Sequence, residues 1–381
     1  MIKIYDMETL EEREILFRGG SGADVSAPVA EILRAVQERG DAALREYTLR
    51  FDGAAPDALA VTAEEVDQAA AQVEPAFLAV LEEAAEHIRA YHARQKRESF
   101  VMTEREGVVL GQRIIPLARV GIYVPGGTAA YPSTVLMNAI PARIAGVGEI
   151  IMVTPPGRDG AVNPHILAAA KIAGVTRIYK VGGAQAVAAL AYGTGTIPQV
   201  DKIVGPGNAY VAEAKRQVFG RVNIDMIAGP SEVLVLADGR SNPAWVAADL
   251  LSQAEHDRMA AAVLVTDSRP LAEAVAHELE RQLAALPRAE IARASLEANG
   301  KLIVCRDLRE GIAVANRIAP EHLELCVDNP LTTWGRFRTP APSSWAVITR
   351  SPWGTTLPGP TTLCLPWAPP GSTVPCRWMT S

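Results

Sequence analysis

The chain has 381 residues, a hydrophobic fraction of 49% and a formal net charge of -6 at pH 7. At roughly 150 residues per domain this length predicts two or three domains with large cores, which excludes a disordered protein and a small disulfide-stapled scaffold. The acidic balance argues against a nucleic-acid partner, and no apolar run approaches the roughly 18 residues of a membrane helix. We therefore expect a soluble, cytoplasmic protein with no membrane partner.

The cysteines give no sign of a metal or disulfide framework. Cys305, Cys326, Cys364 and Cys376 include no Cys-x-x-Cys pair, which argues against a cysteine zinc site. The start of the chain has no charged segment followed by an apolar core. We therefore expect no export signal and no disulfides.

Residues 25 to about 97 have a helical pattern. Thr62 stands three residues before Glu65, which is the pattern of a capping box and predicts a helix start. The amphipathic pattern then continues through Leu78 and Ile88 towards Gln95. The sequence therefore predicts a helical N-terminal region.

From residue 119 the chain alternates between short β-branched runs and Ala-rich helical segments. Four of the runs end at glycine-rich turns, and these runs are 120–124, 150–153, 177–181 and 202–204. Further strands are predicted at 233–236, 262–265 and 302–304. This alternation predicts an α/β fold with doubly wound parallel sheets built from Rossmann-like βαβ units, and ligands in such sheets bind at the carboxyl ends of the strands.

The glycine turns have two interpretations. Each one alone is ordinary turn chemistry, but several together can aim backbone N–H groups at a phosphate or carboxylate. The segment from Gly205 to Tyr210, Gly-Pro-Gly-Asn-Ala-Tyr, lacks the third glycine of the dinucleotide fingerprint G-x-G-x-x-G. Spacing alone therefore does not favour a nicotinamide cofactor.

Two groups of polar residues could carry chemistry. Gln253 and His256 stand three apart at the end of an apolar helical segment, so an amide oxygen and an imidazole can converge on one ion. Taken alone the signal is weak, because a polar helix end more often explains such a pair. Glu321 and His322 follow Pro320. A carboxylate beside an imidazole can divide general-base work, and the alternative is a surface loop.

Six segments of the chain form an ordered series. They are Gly-Ile-Tyr-Val-Pro-Gly-Gly at 121–127, Val-Gly-Gly-Ala-Gln-Ala at 181–186, Val-Gly-Pro-Gly-Asn at 204–208, Asp-Met-Ile-Ala-Gly-Pro-Ser-Glu at 225–232, Asp-Leu-Leu-Ser-Gln-Ala-Glu-His at 249–256 and Ala-Pro-Glu-His-Leu at 319–323. Together they resemble the motif series of the histidinol dehydrogenase family, over residues 1 to about 330. The resemblance implies a zinc- and NAD-dependent homodimer that oxidises L-histidinol to L-histidine in two steps of histidine biosynthesis.

The resemblance also implies roles for single residues. The positions that match NAD contacts are Tyr123, Gln185 and Asn208. Ser231 matches a substrate contact, and Gln253 and His256 match two zinc ligands that also hold the substrate. In the family picture zinc anchors and orients the substrate.

Glu321 and His322 match the family's catalytic residues. His322, which also contacts the substrate, is expected to take the alcohol proton while hydride passes to NAD. Glu321 is then expected to activate water at the aldehyde, and His322 to assist the second oxidation.

The expected organisation has four regions. Residues 1–118 form a helical N-terminal region with the first part of the α/β body, and 119–235 form a first α/β domain on the NAD side. Residues 236–330 form a second α/β domain that carries the zinc and catalytic residues. Residues 331–381 form an aberrant tail.

This tail differs chemically from the rest of the chain. It contains no Asp, Glu, Lys or His, but five of the six Trp and nine of the 27 Pro. The family pattern calls there for a zinc-binding Asp in a Gly-Asp-Tyr motif and a Gly-Pro-Asn-His motif. Farther on it calls for a substrate-contacting Glu and a zinc-binding His, contributed across the dimer. With two of four zinc ligands absent, we predict negligible zinc affinity, little turnover and a weakened dimer.

A change of reading frame explains the tail. Leu-Gly-Asp-Tyr encoded as CTG GGG GAC TAC reads, one base later, as the Trp-Gly-Thr-Thr of residues 353–356, and AGPNHTLPTMGTAR shifted likewise is compatible with all fourteen residues 358–371. Thr355 and Thr362 then stand where the family has an Asp and a His. We hypothesise a frameshift from about residue 331, and we expect the tail to be disordered and to expose apolar surface.

Two other functions stay open. An enzyme on the same scaffold could oxidise another polyol, which an assay of histidinol against other diols would reveal. The chain could also be an inactive NAD-binding remnant that keeps Tyr123, Gln185 and Asn208 without zinc. Metal content after dialysis would distinguish the remnant.

Overall fold

The computed structural model describes residues 2–8, 14–15, 24–126, 131–227, 230–338 and 344–347. The chain divides into a central unit, Gly22–Ala228, and a discontinuous unit formed by Met1–Ser21 with Gly229–Ser381. This division differs from the regions expected from the sequence. The N-terminal helices share one core with the first sheet, where Val29 and Leu33 cluster with Ile151 and Val153.

From Ser26 onward the described chain has four helices before the first sheet of the central unit, namely Ser26–Arg39 (α1), Asp41–Asp52 (α2), Ala63–Gln72 (α3) and Pro75–Ala93 (α4). The predicted capping box is confirmed at the start of α3. Thr62 Oγ1 accepts from the Glu65 N–H at 3.1 Å, and Glu65 Oε2 accepts from the Thr62 N–H at 2.9 Å. The helical pattern does not run unbroken to Gln95, because Pro75, which has no N–H to donate, starts a new helix.

The central unit is built on a parallel sheet. Its strands are Arg119–Tyr123 (β4), Glu149–Thr154 (β5), Arg177–Lys180 (β6), Lys202–Val204 (β7) and Asn223–Ile224 (β8), and they lie in the order β6-β5-β4-β7-β8. Its crossover helices are Pro132–Ile144 (α5), Pro164–Ala173 (α6), Gly183–Tyr192 (α7) and Ala209–Val218 (α8). The strand order reverses between β4 and β7, which is where open α/β sheets bind ligands.

The central sheet requires small residues where a helix crosses it closely. Helix α7 is buried along Ala184–Ala191, and its Leu190 lies over β4. A Cβ at Gly121 would come within 2.8 Å of Leu190 Cδ1. Glycine at this position therefore lets the Ala-rich helix approach the strand.

A separate antiparallel hairpin joins Phe100–Arg105 (β2) to Val108–Gln112 (β3). Every residue of both strands is exposed, and Val101 and Val109 each expose 71% of their surface. An isolated two-stranded hairpin is marginally stable in water. The hairpin thus presents apolar side chains without a core beneath them in the described chain.

The discontinuous unit has a six-stranded parallel sheet among its described residues. Its strands are Lys3–Asp6 (β1), Glu232–Ala237 (β9), Ala261–Thr266 (β10), Lys301–Val304 (β11), His322–Cys326 (β12) and Ser344–Val347 (β13), and they lie in the order β1-β11-β10-β9-β12-β13. Its helices are Pro243–Ala254 (α9), Arg269–Leu283 (α10), Ala289–Asn299 (α11) and Leu308–Ile318 (α12). The two parallel sheets confirm the predicted α/β fold class. Within the described residues, no helix is long and apolar enough to span a membrane.

Part of the tail takes a defined place in this unit, which differs from the expected disorder. Pro330–Trp334 forms a short helix (α13), and β13 pairs in parallel with β12. Asn316 Oδ1 accepts from the Arg338 N–H at 2.8 Å, which ties the segment after α13 to α12. Leu331 and Trp334 are exposed apolar residues, as expected. The tail residues 339–343 and 348–381, including Thr355 and Thr362, lie outside the described residues.

Candidate functional site

The three residues that are predicted to contact the cofactor lie at or just beyond the carboxyl ends of strands in the central unit. Tyr123 is the last residue of β4, Gln185 lies in the first turn of α7 after β6, and Asn208 caps α8 after β7. This is the edge at which the sequence predicted a ligand site.

Tyr123 is buried, and its hydroxyl accepts from the Gly183 N–H at 3.0 Å. Burial raises the pKa of Tyr123 to about 12, and the negative charge of Asp52 acts in the same direction. The phenol therefore stays protonated at neutral pH. Its hydroxyl proton can be donated to an acceptor on a ligand.

Gln185 is the candidate whose surroundings best fit a polar ligand. It is 1% exposed, and neither its amide oxygen nor its amide nitrogen has a hydrogen-bond partner among the described residues. The amide folds under the start of α7, since a Cβ at Gly183 would come within 2.6 Å of Gln185 Oε1. An unpaired buried amide is costly, so this side chain fits a site that a polar ligand completes.

Asn208 is partly committed to the fold. Its Oδ1 accepts from the N–H groups of Tyr210 and Val211, at 3.1 and 3.2 Å, and so caps α8. The side-chain NH₂ is the group left to meet a ligand. The turn before it starts at Gly205, where φ is +112° and a Cβ would lie 2.2 Å from the Tyr123 carbonyl oxygen.

Asp52, at the end of α2, is a further candidate that sequence reasoning missed. Its Oδ2 is buried without a hydrogen-bond partner among the described residues, and burial raises the pKa of Asp52 to about 6. It lines a cavity of about 940 Å³ that also borders Gly126 and Pro155, at the same edge of the sheet. In the sequence Asp52 reads as an ordinary helix end before Gly53, so no local signal marks it.

In the discontinuous unit the candidate residues lie at the amino ends of strands. Ser231 directly precedes β9, and His322 begins β12, where it pairs in register with Val233. Gln253 and His256 lie at the end of α9, shortly before β10 begins. These candidates therefore lie at the edge opposite to the carboxyl edge at which ligand sites in parallel sheets are expected.

Connections at the amino edge explain this placement. Helices in a βαβ unit run back to the edge where the next strand begins, so the end of α9 and the end of α12 meet the same edge. Helix α12 ends with Ala319 in the left-handed conformation at φ 48°, and Pro320 follows. This turn delivers Glu321 and His322 to the start of β12.

Glu321, His322 and His256 interact electrostatically. His322 Nε2 lies 3.9 Å from Glu321 Oε1. Burial lowers the pKa of His322 while Glu321 opposes the shift, and the pKa of His256 is lowered by burial and then by the positive charges of Arg288 and His322. Both imidazoles therefore favour the neutral form that a metal ligand or a general base requires.

A buried acidic group lies next to these residues along the chain. The carboxyl oxygens of Asp249 and Glu324 and the thiol of Cys326 lie within 4.8 Å of one another. Burial and the negative charge of Glu324 raise the pKa of Asp249 well above its usual range. In the sequence this group is marked only by Asp249, a carboxylate inside the apolar run of α9.

The polar donors at the end of α9 are too few to make a zinc site by themselves. Within the described ranges, one cluster brings together three ligand atoms of His, Cys, Asp or Glu residues. It consists of Asp249, Glu324 and Cys326 and does not include His256. Gln253 and His256 could offer two donors to a metal, whereas structural and catalytic zinc sites use three or four protein ligands.

Comparison with known proteins identifies the family. A family model described as histidinol dehydrogenase matches residues 18–343. Histidinol dehydrogenase of Geobacillus kaustophilus is 56% identical over 332 residues, 87% of this chain and 78% of the relative, and that of Syntrophotalea carbinolica is 58% identical over 316 residues, 82% and 73% respectively. A crystal structure of histidinol dehydrogenase from Elizabethkingia anophelis superposes with a TM-score of 0.85 at 38% identity, over 91% of this chain and 80% of that one. The chain belongs to the histidinol dehydrogenase family.

Proposed function

We propose that the protein is an NAD-dependent oxidoreductase that converts L-histidinol to L-histidine in histidine biosynthesis. The observation that carries the proposal is the pairing of Glu321 with His322 at the amino edge of the second sheet, in a chain 56% identical to a histidinol dehydrogenase over 332 residues. Ser231, Gln253 and His256 lie at the same edge, where they can orient a small polar substrate.

His322 is the proposed general base. Because burial favours its neutral form, the imidazole can accept a proton from the substrate hydroxyl near neutral pH. Glu321 is the proposed activator of water for the second oxidation. Its carboxylate stabilises the protonated imidazole through their 3.9 Å ion pair.

The central unit fits the cofactor. Tyr123, Gln185 and Asn208 would hold NAD, which accepts hydride in each oxidation step when bound. The unpaired amide of Gln185 is the structural support, because a polar ligand would satisfy both of its buried atoms. The neutral phenol of Tyr123 accepts from the Gly183 N–H at the start of the same helix. Its own hydroxyl proton is therefore a second donor near Gln185.

For zinc the fit is incomplete. Gln253 and His256 would supply two donors that anchor substrate, and residues 331–381 contain no Asp, Glu or His to supply more. We therefore propose that the chain as written binds zinc weakly and turns over little or not at all.

We attribute the missing zinc ligands to a frameshift, and we place this frameshift later in the chain than composition alone suggested. The family match continues to residue 343, and Phe337 packs against the core of the discontinuous unit. Both observations favour in-frame sequence through about residue 338, later than the position at 331 proposed from composition. The nucleotide sequence across codons 325–345 tests this directly. The hypothesis would be refuted if no change of reading frame in that region restored the Gly-Asp-Tyr and Gly-Pro-Asn-His motifs of the family.

A homodimer is also proposed. The support is the β2–β3 hairpin, whose exposed Val101 and Val109 leave apolar surface that a second copy of the chain could cover.

The catalytic assignment is tested in a frame-restored gene by NADH formation from histidinol. His322→Gln should lower the rate by about 10²–10⁴-fold, the usual effect of losing a general base. Glu321→Gln should slow mainly the oxidation of the aldehyde. His277→Gln, at an exposed position on α10, is the control and should leave the rate unchanged. Full activity of the His322 variant would refute the assignment.

A further inference from the structure

Lys215 is the feature of the central unit that the proposed function leaves unexplained. It lies on α8, is 2% exposed, and is among the largest fully buried side chains of the chain. Its Nζ donates to the Gly205 carbonyl oxygen at 3.0 Å and forms an ion pair with Asp225, just after β8. A buried ammonium group is costly unless it is paired and hydrogen-bonded, as it is here.

Asp225 completes the arrangement around Gly205. Its Oδ2 accepts from the Gly205 N–H at 2.8 Å, while its Oδ1 accepts from the Met226 N–H at 2.7 Å. One ion pair therefore holds both backbone polar groups of Gly205, the N–H through Asp225 and the carbonyl through Lys215.

Gly205 is also the point at which the turn touches β4. Its φ of +112° is a conformation that favours glycine, and a Cβ there would lie 2.2 Å from the Tyr123 carbonyl oxygen. Three residues later Asn208 caps α8, the helix that carries Lys215. The ion pair, the turn and the helix start are thus one connected unit next to Tyr123.

We propose that Lys215 and Asp225 are positioning residues for the cofactor. Their ion pair fixes the turn from Gly205 to Asn208 against the end of β4 and thereby sets the relative places of Asn208 and Tyr123. The proposal rests on the NAD-binding role proposed above for those two residues. Neither Lys215 nor Asp225 needs to touch the cofactor.

The test uses the 381-residue chain and NAD itself as the probe. The double variant Lys215→Met/Asp225→Asn removes both charges, so no buried charge is left unpaired, and it keeps an amide oxygen at position 225 to accept from Gly205. Calorimetry should show an NAD dissociation constant at least tenfold higher in a protein that remains folded by circular dichroism. Amide hydrogen exchange of peptide 204–210 should be faster by a similar factor, a change that a purely structural ion pair elsewhere would not produce.

Lys301→Met is the matched control. Lys301 is a buried lysine of the discontinuous unit whose Nζ donates to the Ile15 carbonyl oxygen at 3.2 Å. Its loss should lower stability and leave the NAD dissociation constant within twofold of the unsubstituted value.

The outcomes separate the two proposals. A folded double variant with NAD affinity within twofold of the unsubstituted chain overturns the positioning role. If the double variant does not fold, Asp225→Asn alone is measured, and an unchanged dissociation constant with unchanged exchange at Gly205 overturns it. If the unsubstituted chain binds no NAD, the proposed cofactor site fails instead, and exchange of peptide 204–210 in the single variant still tests whether the ion pair holds the turn.

Discussion

Replacing Gln185 by leucine should stabilise the protein and weaken NAD binding at once. The side chain is buried, and its two amide groups have no partner in the described structure. Each unpaired buried amide group costs about 1–3 kcal/mol. Leucine has a similar size, buries only apolar atoms and loses less rotamer freedom.

The lower end of that range for two groups gives an increase of about 2 kcal/mol in the free energy of unfolding without ligand. NAD binding should weaken about tenfold, which corresponds to about 1.4 kcal/mol of lost hydrogen bonding. Urea denaturation followed by circular dichroism measures the first quantity, and calorimetry with NAD measures the second. The control Gln199→Leu, at an exposed position of the same unit, should change stability by no more than about 0.5 kcal/mol.

The opposite signs of the two effects make the prediction specific to a binding residue. A packing residue would lose stability when replaced and leave NAD affinity unchanged. A Gln185→Leu variant that is less stable by more than about 1 kcal/mol and binds NAD normally would therefore refute this interpretation of the buried amide.

Three further predictions concern pH, strain and assembly. Because the folded pKa of Asp52, about 6, exceeds the unfolded value near 3.9, the free energy of unfolding should fall as the pH rises between those values. Urea titrations of Asp52→Asn should show no such fall. After allowance for solvent screening, its free energy of unfolding should exceed that of the unsubstituted protein by about 1 kcal/mol at pH 8, and the two should be equal below pH 4. Ala319→Gly should raise the free energy of unfolding by about 1 kcal/mol, because Ala319 has the left-handed φ of 48°, which strains alanine but not glycine. A loss of stability in this variant would show that the backbone is not strained there. In the frame-restored protein, Val101→Lys/Val109→Lys should shift the proposed dimer to a monomer in sedimentation, and an unchanged sedimentation coefficient would exclude the hairpin from the interface.

Local features of the fold could be predicted from the sequence. The capping box of Thr62 and Glu65 needs only neighbouring residues, and its hydrogen bonds are those of any such pair. The strands that end in glycine turns were likewise visible, because β-branched runs and glycines act over a few residues. These features sufficed to predict parallel βαβ units with glycine turns at the carboxyl edge, whereas Tyr123, Gln185 and Asn208 were singled out by the family resemblance.

Features that depend on distant contacts could not be predicted. The strand Lys3–Asp6 pairs with Lys301–Val304, so the N-terminus belongs to a unit that local patterns assign to the second half of the chain. The burial of Asp52 and Lys215 results from packing by several elements, whereas each residue reads locally as a polar helix position. The amino-edge location of His322 depends on the turn at Ala319 and Pro320 rather than on the general rule for parallel sheets.

The yield of NADH per histidinol tests the central claim most directly. With the frame restored near codon 339, we predict two NADH for each L-histidinol consumed and L-histidine as the product, because oxidation of the alcohol to the carboxylate removes four electrons and each NAD accepts two. The chain as written should bind NAD and produce no NADH above background. A frame-restored protein that leaves histidinol unoxidised, or equal turnover by the chain as written, would contradict the account.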